Sequence, residues 1–286
     1  MSGKTYIQTK QMLWAKRNSV FLKKPTVDSG EANYTQKIED NLYEALDTNY
    51  TKMFEAADGG ELVDKANSAA KMKALHSSSA IGVNFFHYWG KRDLVKAITH
   101  ACKLCGKENQ KTFDLTFEEK FQIDSSFQRS PNIDVVIRSR ESKPVVFGIE
   151  CKFSEAYGGS HGGLSEKYIE KGNLWTDIPN LYEFAKSISP KDKRFKKLHP
   201  AQLIKHILGL KKQCGGKSFK LLYLWYAVPS EDGFLHRKEI EEFTEIAKKD
   251  KIKFQSITYQ EVIVNLYKHY YQEYSQLIDY LADRYL

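Results

Sequence analysis

The spacing of apolar and polar residues predicts helices towards both ends of the chain and strands between them. Over residues 31–57, Ile38, Leu42, Ala45, Leu46, Tyr50, Met53 and Phe54 recur at helical spacing, and Asp58, Gly59 and Gly60 would end that helix. A second helical region is expected over about 62–100, and its middle, 78–86, is rich in small residues that suit close packing on a sheet. Residues 1–30 are mixed in pattern, with a break at Pro25 and Gly30, and read as an N-terminal extension.

Three strand-like segments follow. Residues 112–123 alternate through Phe113, Leu115 and Phe117, although the pattern slips near Glu118. In 132–138, Ile133, Val135 and Ile137 share one face, and in 143–153 Val145, Phe147 and Ile149 do the same. The polar stretch 138–143 between them fits a hairpin turn. A glycine-rich loop, 158–163, has no Lys-Ser or Lys-Thr after it and so is no P-loop; its place would put it near anything bound at the end of the third strand. Helices near 178–188 and 200–212 precede a strand at 219–228 that is apolar on both faces, as a buried central strand is. A helix near 238–249, a short strand at 253–258 and a long helix complete the chain. The tyrosines from Tyr259 to Tyr285 recur at helical spacing, so packing explains them better than base stacking.

Composition narrows the class. With 286 residues, 41% of them apolar, the chain can bury a real core. It has no apolar run long enough to span a bilayer, and its first ten residues lack the apolar stretch of a secretion signal. Four cysteines are too few for a disulfide framework in a chain this long, which fits a reducing, cytoplasmic setting. The net charge is +8, and between Lys186 and Lys220 eleven Lys or Arg face one acid, Asp192, so the excess is concentrated there. A phosphate backbone is the natural partner for such a patch, with Lys191, Lys193, Arg194, Lys196 and Lys197 as candidate contacts; a solvated basic loop is the alternative.

Candidate chemistry lies on the second and third strands. Asp134 follows Pro131, and after fifteen intervening residues come Glu150, Cys151 and Lys152. Side chains two apart on a strand share a face, so Glu150 and Lys152 point together, with Gly148 leaving room beside them. A hairpin would bring Asp134 to the end of its neighbour. Two carboxylates and an ammonium then converge, which is costly unless they bind something. Hard oxygen ligands suit Mg²⁺, with Mn²⁺ as a substitute, and the set suffices for phosphodiester hydrolysis.

At these residues the sequence resembles the PD-(D/E)XK nuclease superfamily, which includes many restriction endonucleases. Pro131 and Asp134 match in a relaxed form, with two residues between them, and Glu150-Cys151-Lys152 completes the motif. The resemblance implies an α/β fold with a restriction-endonuclease-like αβββαβ core. That core is a central mixed sheet flanked by helices, with helical N- and C-terminal additions. It places a single nuclease domain at 31–286, its core at about 31–228 and an elaboration at 229–286. It further implies that Asp134 and Glu150 hold the metal, that the Cys151 carbonyl is an additional ligand, and that Lys152 is catalytic.

Many members carry a further acid on the first helix. Glu61, after a glycine turn, is the first choice and Glu44 the alternative. Residues 200–208 resemble the superfamily's segment after the motif, where a polar residue faces the site. Gln202 and Lys205, three apart, would share that helix face, although Gln202 could instead cap a helix begun by Pro200. Cys102 and Cys105, near His100, have the spacing of half a zinc site, but Cys151 and Cys214 are isolated, so reduced thiols are the better reading. His76 reads as a hydrogen-bonded core histidine rather than a substrate contact.

The expectation is therefore a Mg²⁺-dependent DNA endonuclease of restriction or phage-defence type, acting as a homodimer by analogy with enzymes of this size. Its alternatives are a binding module that keeps the fold without cleavage, and an RNA-directed or structure-specific nuclease.

Overall fold

Alternating apolar residues form the strands, and the strands form one mixed sheet. The computed structural model describes residues 1–20, 33–57, 60–159, 161–216 and 218–286. Strands β1 (Phe113–Lys120), β2 (Asn132–Ser139), β3 (Val146–Lys152), β4 (Phe219–Trp225) and β5 (Phe254–Thr258) lie side by side in chain order. The first three form an antiparallel meander, whereas β4 and β5 run parallel to β3. Helices α1 (Gly3–Arg17), α2 (Thr48–Ala56), α3 (Ser78–Lys91) and α4 (Val95–Ala101) precede the sheet. Between β3 and β4 come α5 (Glu166–Ile169), α6 (Pro179–Ser187) and α7 (Pro200–Gln213); α8 (Glu231–Lys249) links β4 to β5, and α9 (Tyr259–Tyr285) closes the chain. Among the described residues no helix is long and apolar enough to cross a membrane.

Each face of the sheet is buried under helices. Val135, Ile137, Phe147, Ile149 and Leu222 face the cluster built with α1 to α4 and α9. Val136, Val146, Leu221 and Tyr223 face the cluster built with α6, α7 and α8. Burying one such side chain stabilises by roughly 1.5–3 kcal/mol, and a one-residue slip would turn several of them the wrong way at once. The register is therefore firmly set, and with Val135 opposite Ile149 it puts Asp134 opposite Glu150. The tyrosines of α9 pack as expected, Tyr259 and Tyr285 being fully buried, although the helix kinks at Tyr274.

One face assignment is corrected. Ile133 packs in the second cluster, not with Val135 and Ile137. The alternation inverts where Glu118 (φ 52°), which lies opposite Asp134, takes a left-handed backbone. Phe117 belongs to the first cluster and Phe121 to the second, while Glu119 turns to meet Arg138. The slip in pattern near Glu118 is thus a real feature of β1. It breaks the strand's regularity beside the candidate site.

The N-terminal half also departs from expectation. No helix covers 33–47; a single 3-10 turn, Glu39–Asn41, occupies part of it, and α2 begins only at Thr48, where Asp47 caps it. Residues 60–77 are mostly irregular, and the expected second helix is the pair α3 and α4. Non-local bonds explain this: the buried Asn41 side chain donates to the carbonyls of Met72 (2.7 Å) and Ala74 (2.8 Å), holding two irregular segments together. Residues 1–30 contain a helix, α1, whose Ile7 enters the first core cluster. The break at Pro25 and Gly30, and Asp58 and Gly59, lie outside the described residues.

Candidate active site

Glu150, Lys152, Gln202 and His206 form a contiguous polar cluster between the end of β3 and the start of α7. Lys152 Nζ lies 2.7 Å from Glu150 Oε1 and donates to Gln202 Oε1 at 2.9 Å. The other carboxylate oxygen, Glu150 Oε2, lies 2.7 Å from His206 Nε2. Helical geometry explains the pairing, because Gln202 and His206 are four residues apart and share a face of α7. Asp134 joins from β2, its Oδ2 accepting the Cys151 N–H at 2.6 Å. The expected meeting of Asp134, Glu150 and Lys152 is thus present.

The electrostatics of the four acids at this end of the sheet are divided. Burial would raise the Glu150 carboxyl, but Lys152 and His206 overcome it and hold it at about 2. Asp134 is pushed well above the ordinary carboxylate range by burial and by the Glu150 and Glu118 charges. Glu118 is raised to about 7 by burial and by Glu61, with Glu150 adding to the effect. Burial would lower Lys152, yet Glu150 and Asp134 raise it, so its ammonium is secure.

Glu61 belongs to this group and Glu44 does not. Gly60 adopts a left-handed backbone (φ 64°), and Glu61 follows it into a buried position where it takes contacts from Ser79 (2.7 Å) and Lys71 (3.2 Å). Glu44 is instead held by both terminal nitrogens of Arg92 on α3's flank, at 2.7 and 3.0 Å. Gly148 serves packing rather than the site: a Cβ there would meet Leu210 at 3.1 Å and Ile133 at 3.2 Å, so its absence lets α7 close on the sheet.

The donor set fits a hard divalent cation. Glu150 is fully buried, and although both its oxygens have a cation nearby, neither makes an aligned hydrogen bond. Two carboxyls of raised pKa, Asp134 and Glu118, beside the buried Glu150 carboxylate mark a place where positive charge is wanted. Among the described residues no three His, Cys, Asp or Glu side chains are already closed around a common metal position. Lys152 and His206 occupy the near side of Glu150 instead.

A family model described as Restriction Endonuclease associating with ARP matches residues 9–286 of this sequence. The chain belongs to that family. Neither a curated protein nor a solved structure gives a significant match.

In this restriction-endonuclease family member the main chain of the basic segment is tied to the body of the protein. Glu239 on α8 accepts the backbone N–H groups of Lys196, Lys197 and Leu198, each at 2.8 Å, and Asp192 accepts those of Arg194 (2.8 Å) and Phe195 (3.1 Å). Phe195 and Leu198 are buried beneath it. Lys196 and Lys197 share with Lys152 the wall of a cleft of about 210 Å³, closed on its other side by Gly158, Gly159 and His161. The glycine-rich loop thus lies where its position after the third strand predicts. Arg194 is paired with Glu242 and Lys197 with Asp232, while Lys191, Lys193 and Lys196 are exposed and have no carboxylate partner among the described residues.

Lys205 is a correction. It does not share the site-facing side of α7 with Gln202; its ammonium lies 5.4 Å from the Tyr168 ring, and burial and Lys167 lower its pKa. Two residues escaped sequence reading, His206 and Glu118. The signal for His206 was its place four residues after Gln202 in an apolar helix, and for Glu118 the broken alternation. Cys102 and Cys105 are free, and burial raises both thiols. His76 is largely buried and its pKa lowered by that burial, its Nδ1 without a hydrogen-bond partner, so the bonded core histidine is not what forms.

Proposed function

We propose that this protein is a Mg²⁺-dependent endonuclease of the PD-(D/E)XK type that hydrolyses duplex DNA, with a role in restriction or phage defence in the cytoplasm. The observation that carries the reading is the buried Glu150 carboxylate shared between Lys152 and His206, with Asp134 opposite it in the adjoining strand. The order α4, β1, β2, β3, α7, β4 supports an αβββαβ core, which we extend to a single nuclease domain over 31–286.

Asp134 and Glu150 would hold the ion, with the Cys151 carbonyl as a further ligand and Glu61 and Glu118 adding negative charge nearby. A bound Mg²⁺ would supply an activated water and neutralise charge on the phosphoryl oxygens. The protein's own part is positioning. Gln202 fixes Lys152 Nζ from α7, so that the ammonium can face a phosphate oxygen as negative charge develops. His206 steadies Glu150 from the other side. Lys191, Lys193 and Lys196 draw the phosphate backbone towards the cleft beside Lys152, with Lys197 and Arg194 joining once their carboxylates are displaced. Lys205, turned towards Tyr168, is left out of this role.

The family's name points to association with ARP, and we extend that partnership to this chain. Assembly as a homodimer would present two such centres to a two-fold symmetric site. Purified protein should cut supercoiled and linear duplex DNA with Mg²⁺ or Mn²⁺ and stop when EDTA is added. Binding of duplex without cleavage under any divalent ion would instead identify a binding module.

A further inference from the structure

A second concave site lies at the opposite end of β3, and it has the reverse character. It occupies about 520 Å³ where the α4–β1 connection, the β2–β3 hairpin and the approaches to β4 and β5 meet. Its floor is apolar and aromatic, with Leu104, Phe113, Val145, Phe147 and Phe219. Its rim carries Lys111, Lys143, Lys220 and Lys253. Only Lys111 has a carboxylate partner among the described residues, Glu141 at 2.6 Å. Lys220 is half-buried, its Nζ 5.7 Å from the Phe147 ring centre and 3.4 Å from the Leu104 carbonyl. Burial and Lys253 together lower its pKa.

Half-buried Lys220, with exposed Lys143 and Lys253 beside it, concentrates positive charge over an apolar floor, and for Lys220 that burial is costly. A ligand with several negative charges and a flat apolar part would meet both the lysines and the apolar lining of this cleft. The volume falls in the range of small-molecule sites, roughly 300–1,000 Å³. A nucleic-acid strand would need a longer, open track of phosphate contacts. We propose that this cleft binds a nucleoside polyphosphate, its base against Phe113 and Phe147 and its phosphates among Lys143, Lys220 and Lys253. Phe147 and Lys152 are five residues apart on one strand, or about 17 Å, so the ligand would not enter the cleavage site.

Cys105 in the cleft wall provides an internal reporter, and Cys214, also half-buried but outside this cleft, a control. ADP should bind the full chain in equilibrium dialysis and slow alkylation of Cys105 at least threefold while leaving Cys214 unchanged. The double variant K143E/K253E changes two exposed side chains, should melt as the wild type does, and should weaken ADP at least tenfold. Pyrophosphate should bind at least tenfold more weakly than ADP, because it lacks the flat apolar part. Failure of millimolar ADP to bind, binding unchanged in the double variant, or protection of neither cysteine would overturn the proposal. Equal binding of pyrophosphate would overturn the nucleoside assignment. None of these readouts depends on DNA cleavage, so they stand or fall separately from the nuclease reading.

Discussion

At the far end of β3, Lys152 lies 2.7 Å from Glu150 and 2.9 Å from Gln202, and a second carboxyl waits on the next strand. At the near end, Lys143, Lys220 and Lys253 gather around aromatic rings with no acid among the described residues to pair them. Charges of both signs locked at close range form a set that can hold a cation and stabilise a developing anion. Charges of one sign around an apolar floor can only wait for a counter-charged ligand. The contrast separates charges paired with one another from charges of one sign only, although the same strand builds both.

Lys152→Ala should break the reactive end most severely. Losing an aligned cationic donor should lower cleavage by on the order of 10²–10³ in a single-turnover assay. The fold should persist, since Lys152 keeps 15% of its side chain exposed and Glu150 retains His206. Wild-type cleavage by this variant would remove Lys152 from the chemistry.

Glu118→Gln sharpens the comparison through pH. The folded protein holds the Glu118 proton up to about pH 7, well above an ordinary carboxyl, so this group's contribution to stability is present in acid and lost as pH rises towards 7. In EDTA, melting temperatures of variant and wild type should therefore agree near about pH 4 and diverge by about pH 8, with the variant higher. The Mg²⁺-induced shift of the wild type should grow over the same interval, because deprotonation supplies the negative charge that the cation needs. A variant no more stable than the wild type at about pH 8 would show that Glu118 is not electrostatically strained.

The smallest expected effect concerns the basic segment. Lys193→Glu with Lys196→Glu should weaken duplex binding for all sequences and reduce its salt slope by about one for each phosphate no longer neutralised. Fluorescence anisotropy at several salt concentrations measures this directly, and an unaltered slope would assign these lysines to solubility.

The strands and the core of the site were legible because period-two alternation is strong and one face slip is costly. Asp134, Glu150 and Lys152 needed only that register to be brought together. Much of the rest depends on bonds between residues distant in sequence. The apolar spacing of Ile38, Leu42 and Leu46 imitates a helix, but Asn41 is tied to Met72 and Ala74, and local pattern cannot see that bond. Helix α1 hid for the opposite reason. Its inward stripe runs through Gly3, Ile7, Gln11 and Trp14, and Gln11 reads as a surface residue until Arg284 is found beside it. His206 and Glu118 become functional candidates only through Glu150 and Asp134, which lie far from them in sequence.

The grip of Glu239 on three consecutive backbone amides has an evolutionary consequence. The path of the lysine-bearing segment is fixed by main-chain bonds and by the buried Phe195 and Leu198, not by its outward side chains. Those side chains can therefore be exchanged singly, by ordinary mutation, without redrawing the surface that carries them. The positive charge that this surface offers can drift along a lineage while the architecture beneath stays still.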